Sequence, residues 1–506
     1  MAGALYPIIF VRGYAGTQSD VEETVDDPFY GFNLGSTHIR ADTEGDAQFY
    51  AFESPFIRLL TEHGYTDVFS GTTQRIASTA PNRERTIWIY RYYDPTSNTF
   101  DRPGGRRLSI EEAADGLREF IDDVKDSTGA EKVYLIAHSM GGLVCRSLLQ
   151  RTYPNTQKPG SLKPQSGKDQ IDKLFTYGTP HGGIHFVDGG ALEALRDLFG
   201  VNNSDDFGRR RMYEYLTPDV DRQSDVPDTF VQDIVPDAAF DTQRIFCIVG
   251  TNARDYAVAK GLSRDVVGPQ SDGLVQIQSA SVQAAPRAYI HRSHSGRYGM
   301  VNSEEGYQNL RRFLFGDVRV HMVMCDFELD FSKNTKSHEV TYQFEIQVAL
   351  RGSLVLMHDR SEAHYCAVPL NEDQYREQMT TGGLPLYTTF MISALQGDIL
   401  RYMIRIGVYS KTFDHGFLSL ADHVERLPLW SDYLIAELRP SRPGSPYRYE
   451  GFFTWASSSV DSKDMIAMKT EESTGGTVDG LVPLPDRGKR VLGDKAQIRL
   501  ETSNWS

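Results

Sequence analysis

Short apolar runs recur through the first 316 residues, each bounded by turn-forming residues. They cover residues 7–11, 86–90, 133–137, 173–177 and 244–249. An apolar run without polar alternation is typical of a strand that is covered on both faces, as in a parallel sheet flanked by helices. The pattern therefore predicts the core strands of a mostly parallel sheet.

Helical periodicity lies between these runs. Ser109 and Glu112 have the spacing of a capping box, and the apolar residues that follow share one helix face: Ile110, Ala113, Ala114, Leu117, Ile121 and Val124. A second helix is predicted to begin at Asn302, because Glu305 stands three residues later, ahead of another shared face: Tyr307, Leu310 and Leu314. Strands alternating with helices predict right-handed crossovers between parallel strands.

Alternation of period two replaces both patterns after residue 317. Its clearest runs are residues 342–348 and 402–408, in which every second residue is large and apolar. Such alternation is typical of antiparallel strands with one buried face. We therefore predict an α/β domain over residues 1–316 and an all-β domain over residues 317–506, for which a β-sandwich is the favoured architecture.

The composition narrows the possible functions. Hydrophobic residues make up 40% and charged residues 24%, and no apolar stretch is long enough to span a bilayer, so we predict a soluble protein. A net charge of -15 would repel phosphate groups, so nucleic acid is not an expected partner. Since the first residues lack a basic leader, we expect a cytoplasmic protein, or one secreted without a visible signal peptide.

The four cysteines predict neither a disulfide framework nor a metal site. Cys145, Cys247, Cys325 and Cys366 are widely separated and form no Cys-x-x-Cys pair. We expect free, buried thiols, and we expect no metal and no cofactor.

The most informative segment is residues 132–149, in which a predicted strand enters a tight turn and a predicted helix leaves it. Ser139 occupies the turn, and small residues flank it two positions away on either side, Ala137 and Gly141. This arrangement is typical of a nucleophile elbow, where a strained backbone exposes the serine hydroxyl. The backbone N–H of Met140, at the helix start, is then the expected first donor to an oxyanion.

Three segments resemble motifs of one enzyme family. The elbow at residues 137–141 is similar to the Ala-x-Ser-x-Gly elbow of some bacterial lipases, and residues 178–183 (Gly-Thr-Pro-His-Gly-Gly) resemble the lipase Gly-Thr-Pro-His-x-Gly segment. Residues 12–16 resemble the His-Gly-x-x-Gly loop of lipases, with Arg12 where the family has histidine. The chain is identified as a member of the α/β-hydrolase superfamily of serine lipases and esterases, which implies the α/β-hydrolase fold.

The resemblance also implies the remaining site residues. The N–H of Tyr14 would be the second oxyanion donor, and the catalytic groups would follow in the order serine, acid, histidine. Asp272 lies in an Asp-Gly-x-Val segment like the one that carries the acid in many lipases. Asp255 and Asp265 share this loop and are alternatives.

Two histidines can serve as the base. His294 lies in a His-Ser-Gly segment similar to that of lipases, and His291 is the alternative. His181 precedes the acid along the chain, so we expect it to be structural or to line the pocket.

The resemblance implies a cofactor-independent carboxylic ester hydrolase that works through an acyl-enzyme and takes an ester or lipid as substrate. An acyltransferase or thioesterase with the same residues is one alternative, and a catalytically silent binding protein is another. Residues 184–242 are a candidate cap or lid, or simply an extra surface helix. The all-β domain is expected either to bind substrate aggregates or another protein, or to stabilise the hydrolase.

Overall fold

A computed structural model describes the following residues of the chain: 5–13, 36–41, 47–52, 54–70, 73–74, 76, 82–90, 92, 108–158, 160, 163–184, 207–255, 267–296, 299–335, 338–396, 399–414, 423–443, 448–458, 465–472 and 478–505. They form two compact units. The first comprises the described residues of Ala4–Arg287 and His291–Leu310, and the second comprises Ala288–Ile290 and the described residues of Arg311–Ser506.

The described residues before position 300 form eleven strands: β1 (Ile8–Val11), β2 (Ser36–Ala41), β3 (Ala47–Phe52), β4 (Thr66–Asp67), β5 (Phe69–Ser70), β6 (Thr73–Gln74), β7 (Thr86–Tyr90), β8 (Val133–His138), β9 (Ile171–Tyr177), β10 (Ile245–Gly250) and β11 (Arg287–Ile290). Seven of them form a sheet in the order β11-β10-β9-β8-β1-β7-β4. From β10 to β4 each neighbouring pair is parallel. The predicted parallel sheet is confirmed, and its predicted strands match β1, β7, β8, β9 and β10.

The helices of this part of the chain are α1 (Pro55–His63), α2 (Ile110–Thr128), α3 (Met140–Ser147), α4 (Tyr153–Asn155), α5 (Gly167–Gln170), α6 (Arg209–Leu216) and α7 (Glu304–Phe315). Helix α2 begins with the predicted capping box, in which Ser109 Oγ accepts from Glu112 N at 3.2 Å and a Glu112 oxygen accepts from Ser109 N at 2.9 Å. Its predicted apolar face is buried. A turn of π-helix, Leu148–Thr152, joins α3 to α4.

The predicted N-cap of α7, Asn302, was wrong by one residue. The helix begins at Glu304, and the hydroxyl of Ser303, rather than the amide of Asn302, accepts from Gly306 N at 3.0 Å. Both residue types cap helices well, so the sequence alone did not separate two adjacent candidates.

The second unit contains two antiparallel sheets. Its strands are β12 (Val318–Cys325), β13 (His338–Leu350), β14 (Leu356–Arg360), β15 (Val368–Leu370), β16 (Leu384–Met391), β17 (Leu400–Asp414), β18 (His423–Pro440), β19 (Tyr449–Trp455), β20 (Ile466–Ala467), β21 (Lys469–Glu472), β22 (Val478–Pro483) and β23 (Gln497–Asn504). One sheet has the order β16-β12-β23-β22-β21, and the other has the order β14-β13-β17-β18-β19-β20, with β15 beside β13. Its short helices are α8 (Glu372–Thr380), α9 (Ser393–Gln396) and α10 (Asp486–Leu492).

The predicted all-β architecture is confirmed in this unit. The indole N–H of Trp455 on β19 donates to the carbonyl of Pro483 on β22 at 3.0 Å and so joins the two sheets. On β13 and β17 the alternating apolar residues pair across the strands, as Phe344 does with Val408, and they are buried. The predicted domain boundary at 316/317 falls between α7 and β12.

All four cysteines are buried free thiols, as predicted. Within the described part of the chain, every helix is either too short or too polar to cross a bilayer.

Candidate active site

Ser139 lies between the end of β8 and the first residue of α3, with φ 55° and ψ -131°. Residues other than glycine rarely adopt a positive φ, so this conformation persists only where its surroundings hold it. Here Ser139 N donates to Tyr177 O at 2.9 Å, and Ser139 O accepts from Gly142 N at 3.0 Å and from Thr179 Oγ1 at 2.9 Å. These three hydrogen bonds fix the backbone on both sides of the serine hydroxyl.

Steric contacts explain why small residues, Ala137 and Gly141, flank Ser139. A Cβ atom on Gly141 would lie 2.2 Å from the carbonyl oxygen of Val11 and 2.8 Å from that of Arg12, so the end of β1 leaves no room for a side chain. Ala137 pairs with Val11 in the parallel register and is fully buried, so one methyl group is accommodated there. The alanine in place of the more usual glycine is therefore compatible with the turn.

A continuous hydrogen-bonded chain joins Ser139, His294 and Asp272. Ser139 Oγ lies 2.9 Å from His294 Nε2, and His294 Nδ1 lies 2.8 Å from Asp272 Oδ2. All three side chains are buried. Because a carboxylate oxygen accepts, His294 Nδ1–H is the donor in the contact with Asp272, and the other ring nitrogen, Nε2, faces the serine hydroxyl.

The carboxylate of Asp272 is held independently of the histidine. Its Oδ1 accepts from the backbone N–H groups of Leu274 at 3.0 Å and Val275 at 2.7 Å. The backbone N–H of His294 donates to Asp272 O at 2.9 Å, so main-chain and side-chain contacts join the same two residues. The carboxylate of Asp272 is thus fixed within its own turn and presents one oxygen to His294.

The alternatives left open by the sequence lie elsewhere. His291 Nδ1 is 3.2 Å from Thr251 Oγ1, and the carboxylate of Asp255 accepts from Asn252 Nδ2 at 2.5 Å. Asp265 lies outside the described residues. The structure therefore brings together Ser139, Asp272 and His294.

The oxyanion side is described in part. Met140 is the first residue of α3, so its N–H belongs to the first turn, where amides have no acceptor within the helix. Tyr14, the predicted second donor, lies outside the described residues. Its neighbour Gly13 lies close beside Ser139, since a Cβ on Gly13 would lie 2.7 Å from Ser139 Cβ.

The segment after β9 supports the elbow from the other side. Thr179 of this segment donates to the carbonyl of Ser139. In the same segment His181 is fully buried, and its Nε2 lies 3.1 Å from Thr176 Oγ1. Burial, together with the guanidinium of Arg146, lowers the pKa of His181 well below its ordinary value. Arg146 Nη1 donates to the His181 carbonyl at 2.9 Å, which is consistent with the structural role expected of this segment.

Sequence reasoning missed one histidine at this site. The ring of His138, the residue before Ser139, lies 4.8 Å from the ring of His294 between centroids, and its Nε2 donates to the His294 carbonyl at 2.9 Å. Burial and the neighbouring His294 lower the pKa of His138 well below its ordinary value. Its place directly before Ser139 in the Ala-His-Ser-Met-Gly elbow is the sequence signal that could have identified it.

No group of three or more His, Cys, Asp and Glu side chains able to hold a metal ion occurs among the described residues. Of the predicted cap, residues 185–206 lie outside the described part. The described remainder contains α6 and the 3₁₀ turn Thr242–Arg244.

Comparison with known proteins gives relatives by sequence and by structure. A family model described as the alpha/beta hydrolase fold matches residues 76–159. Lipase 1 of Staphylococcus aureus is 26% identical over 222 residues, which is 40% of this chain and 29% of that protein. A lipase of Staphylococcus epidermidis is 25% identical over 193 residues, covering 36% of this chain and 24% of that protein.

The chain therefore spans less than a third of the length of these curated relatives. Among solved structures, the mature Bacillus licheniformis lipase BlEst2 is 14% identical and aligns over 62% of this chain and 91% of its own, with a TM-score of 0.30.

Proposed function

We propose that the chain, which has the α/β-hydrolase fold, is a carboxylic ester hydrolase with Ser139 as nucleophile. His294 is the general base and acid, and Asp272 orients and stabilises the imidazole. The observation that carries this proposal is the buried chain of two hydrogen bonds, at 2.9 Å and 2.8 Å, from Ser139 through His294 to Asp272.

Acylation begins when Ser139 Oγ attacks the ester carbonyl carbon while its proton passes to His294 Nε2. The carbonyl oxygen takes the negative charge of the tetrahedral intermediate, and the N–H of Met140 faces that charge as one donor, with Tyr14 proposed as the other. The imidazolium is stabilised by Asp272, whose own charge is held by the N–H groups of Leu274 and Val275. The intermediate collapses as His294 returns the proton to the leaving alkoxide, which departs as an alcohol.

Deacylation repeats these steps with water. Neutral His294 takes a proton from water as the water oxygen attacks the acyl carbon of Ser139. The second tetrahedral intermediate then releases the carboxylic acid, and the proton on His294 restores the serine hydroxyl. The cycle consumes one ester and one water, and each of its proton transfers passes through His294.

The lipases among the relatives favour an ester or lipid substrate. We propose that the predicted cap, residues 184–242, covers part of the acyl site, and that the all-β domain, residues 317–506, contacts substrate aggregates or a second protein. Both proposals can be tested by substituting exposed residues of these two regions in the full-length chain.

The test is hydrolysis of p-nitrophenyl esters from acetate to palmitate by the parent protein and by Ser139→Ala, His294→Ala and His291→Ala. We expect activity that falls about 10⁴-fold or more for the first two variants. His291→Ala is the matched control from the same loop and should retain activity close to the parent. The preferred chain length would separate an esterase from a lipase.

Two results would contradict the proposal. Full activity in Ser139→Ala would exclude this serine as the nucleophile. A parent that neither hydrolyses any ester of the series nor reacts with a fluorophosphonate would indicate a binding protein. Added alcohols or thioester substrates in the same assay would reveal an acyltransferase or a thioesterase.

A further inference from the structure

His138 occupies the last position of β8, directly before the nucleophile. Its side chain is only partly exposed, and its ring lies against the ring of His294 at an interplanar angle of 41°. The mechanism above uses no proton from this residue. Its hydrogen bond and its ring contact nevertheless both involve His294.

The direction of the hydrogen bond fixes the state of His138. A backbone carbonyl can only accept, so His138 Nε2 must carry a proton to make its 2.9 Å contact with His294 O. Burial, His294 and Arg12 together lower the pKa of His138, so the ring is neutral at pH 7, with Nδ1 unprotonated. A neutral ring adds no positive charge beside the imidazolium that forms on His294 during turnover.

This contact adds a further restraint on His294. The N–H of His294 is held by Asp272 O at 2.9 Å, and its two ring nitrogens face Asp272 and Ser139. The bond from His138 ties the carbonyl of His294 to the strand end that carries Ser139. Nucleophile and base are thereby linked through one backbone step and one hydrogen bond.

We propose that His138 is a positioning residue, which holds His294 at hydrogen-bonding distance from Ser139 by donating from Nε2 to the His294 carbonyl. The inference rests on the proposed function, because it assigns a role in that reaction. A displacement of about 1 Å between reacting groups costs on the order of 100-fold in rate, so loss of this bond should lower kcat. Because this bond joins His138 to the backbone of His294 and not to the substrate, we expect KM to change little.

Three variants separate the donor from the ring. His138→Gln places an amide N–H near the former Nε2 position, whereas His138→Asn carries the same amide one methylene short. His138→Phe keeps an aromatic ring but has no donor. Gln and Asn are therefore a matched pair that differ in reach and share the loss of the ring.

We expect His138→Asn and His138→Phe to lower kcat about 10- to 100-fold with KM within about threefold of the parent, and His138→Gln to restore most of kcat. Melting temperatures measured alongside identify any variant that fails to fold. Parent-like kcat in both Asn and Phe variants, or a Gln variant as slow as the Asn variant, would overturn the proposal. In either case the parent would still hydrolyse esters, so the proposed function would stand.

A second measurement does not depend on turnover. In protein labelled with ¹⁵N-histidine, the His138 resonances, assigned by their loss in His138→Gln, should show Nε2 protonated and Nδ1 unprotonated from pH 8 to pH 6. The signal of the His294 Nδ1 proton should shift in His138→Phe and return towards the parent position in His138→Gln. A His138 ring protonated on Nδ1 alone would contradict the proposal even if the protein had no esterase activity.

Discussion

Both units bury ionisable groups, but they balance the charge in different ways. In the second unit, Glu437 is fully buried and lies between Arg439, at 2.7 Å, and Arg401. In the first unit, the buried carboxylate of Asp272 is balanced by two backbone N–H groups and an imidazole.

The partners explain what each region can do. An arginine keeps its proton at any ordinary pH, so the Glu437 cluster can only hold its strands together. An imidazole can both accept and release a proton, so in the proposed mechanism the Asp272 cluster moves a proton to and from Ser139. Under the proposed function, a buried charge therefore serves catalysis only where its partner can transfer a proton and where the hydrogen-bonded chain ends at a hydroxyl group.

Asp272→Asn should give the largest effect. The amide oxygen can still accept from Leu274 and Val275, but the amide nitrogen cannot accept from His294 Nδ1–H, so the imidazole loses its orientation. We expect kcat to fall about 10³- to 10⁴-fold, measured with a soluble p-nitrophenyl ester. Asp255→Asn is the matched control and should stay within about threefold of the parent. Equal losses in both variants would mean that the loop, rather than the acid, was damaged.

Gly178→Ala should come next. Gly178 has φ +53°, and a Cβ there would lie 3.0 Å from both Asp272 Oδ2 and His294 Nδ1, so the methyl group would crowd the acid–base pair. The control is Gly129→Ala, at φ +78° with no atom within 4 Å of the new Cβ. Both variants should lose about 1–2 kcal/mol of stability through backbone strain. Only Gly178→Ala should lower kcat, by about 10-fold or more.

Glu437→Gln should separate stability from catalysis. Hydrogen bonds from Arg439 and Arg401 outweigh burial and hold the pKa of Glu437 below its usual value. Removing the charge should cost about 1–3 kcal/mol, seen by calorimetry as a lower melting temperature. The kcat for a soluble ester should be unchanged. The control, Glu372→Gln, breaks an exposed pair with Arg376 and should change the free energy of unfolding by less than about 0.5 kcal/mol.

The smallest expected effect is a pH dependence of stability. The pKa values of His138 and His181 are lowered in the folded protein, so below about pH 6.5 the unfolded chain binds protons that the folded chain does not. The free energy of unfolding therefore keeps its full value above about pH 6.5 and falls as the pH decreases below it. Each histidine should contribute about 1 kcal/mol of loss between pH 6.5 and 5.5. Melting curves of His181→Gln should show a shallower slope, and a slope equal to that of the parent would contradict this assignment.

Local patterns were enough to predict much of the fold. Continuous apolar runs located the core strands, and the Ser109 capping box located α2, because both signals lie within a few consecutive residues. Helix α8 was not predicted, although Asn371 and Gln374 form a capping box at its start. None of its residues is buried, so it has no apolar face for the sequence to reveal.

Local sequence signals were enough to predict only part of the candidate site. The predicted strand, turn and helix around Ser139 identified this serine as the candidate nucleophile. The choice of His294 over His291 depends on a contact between residues 155 positions apart, which composition and spacing do not determine. The contact of His138 with His294 spans 156 positions, so its role became visible only in the folded chain.

The most direct test of the proposed nucleophile is the site of covalent labelling. The parent protein and Ser139→Ala would be treated with a fluorophosphonate, digested, and analysed by peptide mass spectrometry. We expect a single adduct on the peptide that contains Ser139, formed rapidly in the parent and absent from Ser139→Ala. No adduct in the parent, or an adduct on another residue in both proteins, would contradict the assignment of Ser139 as the nucleophile.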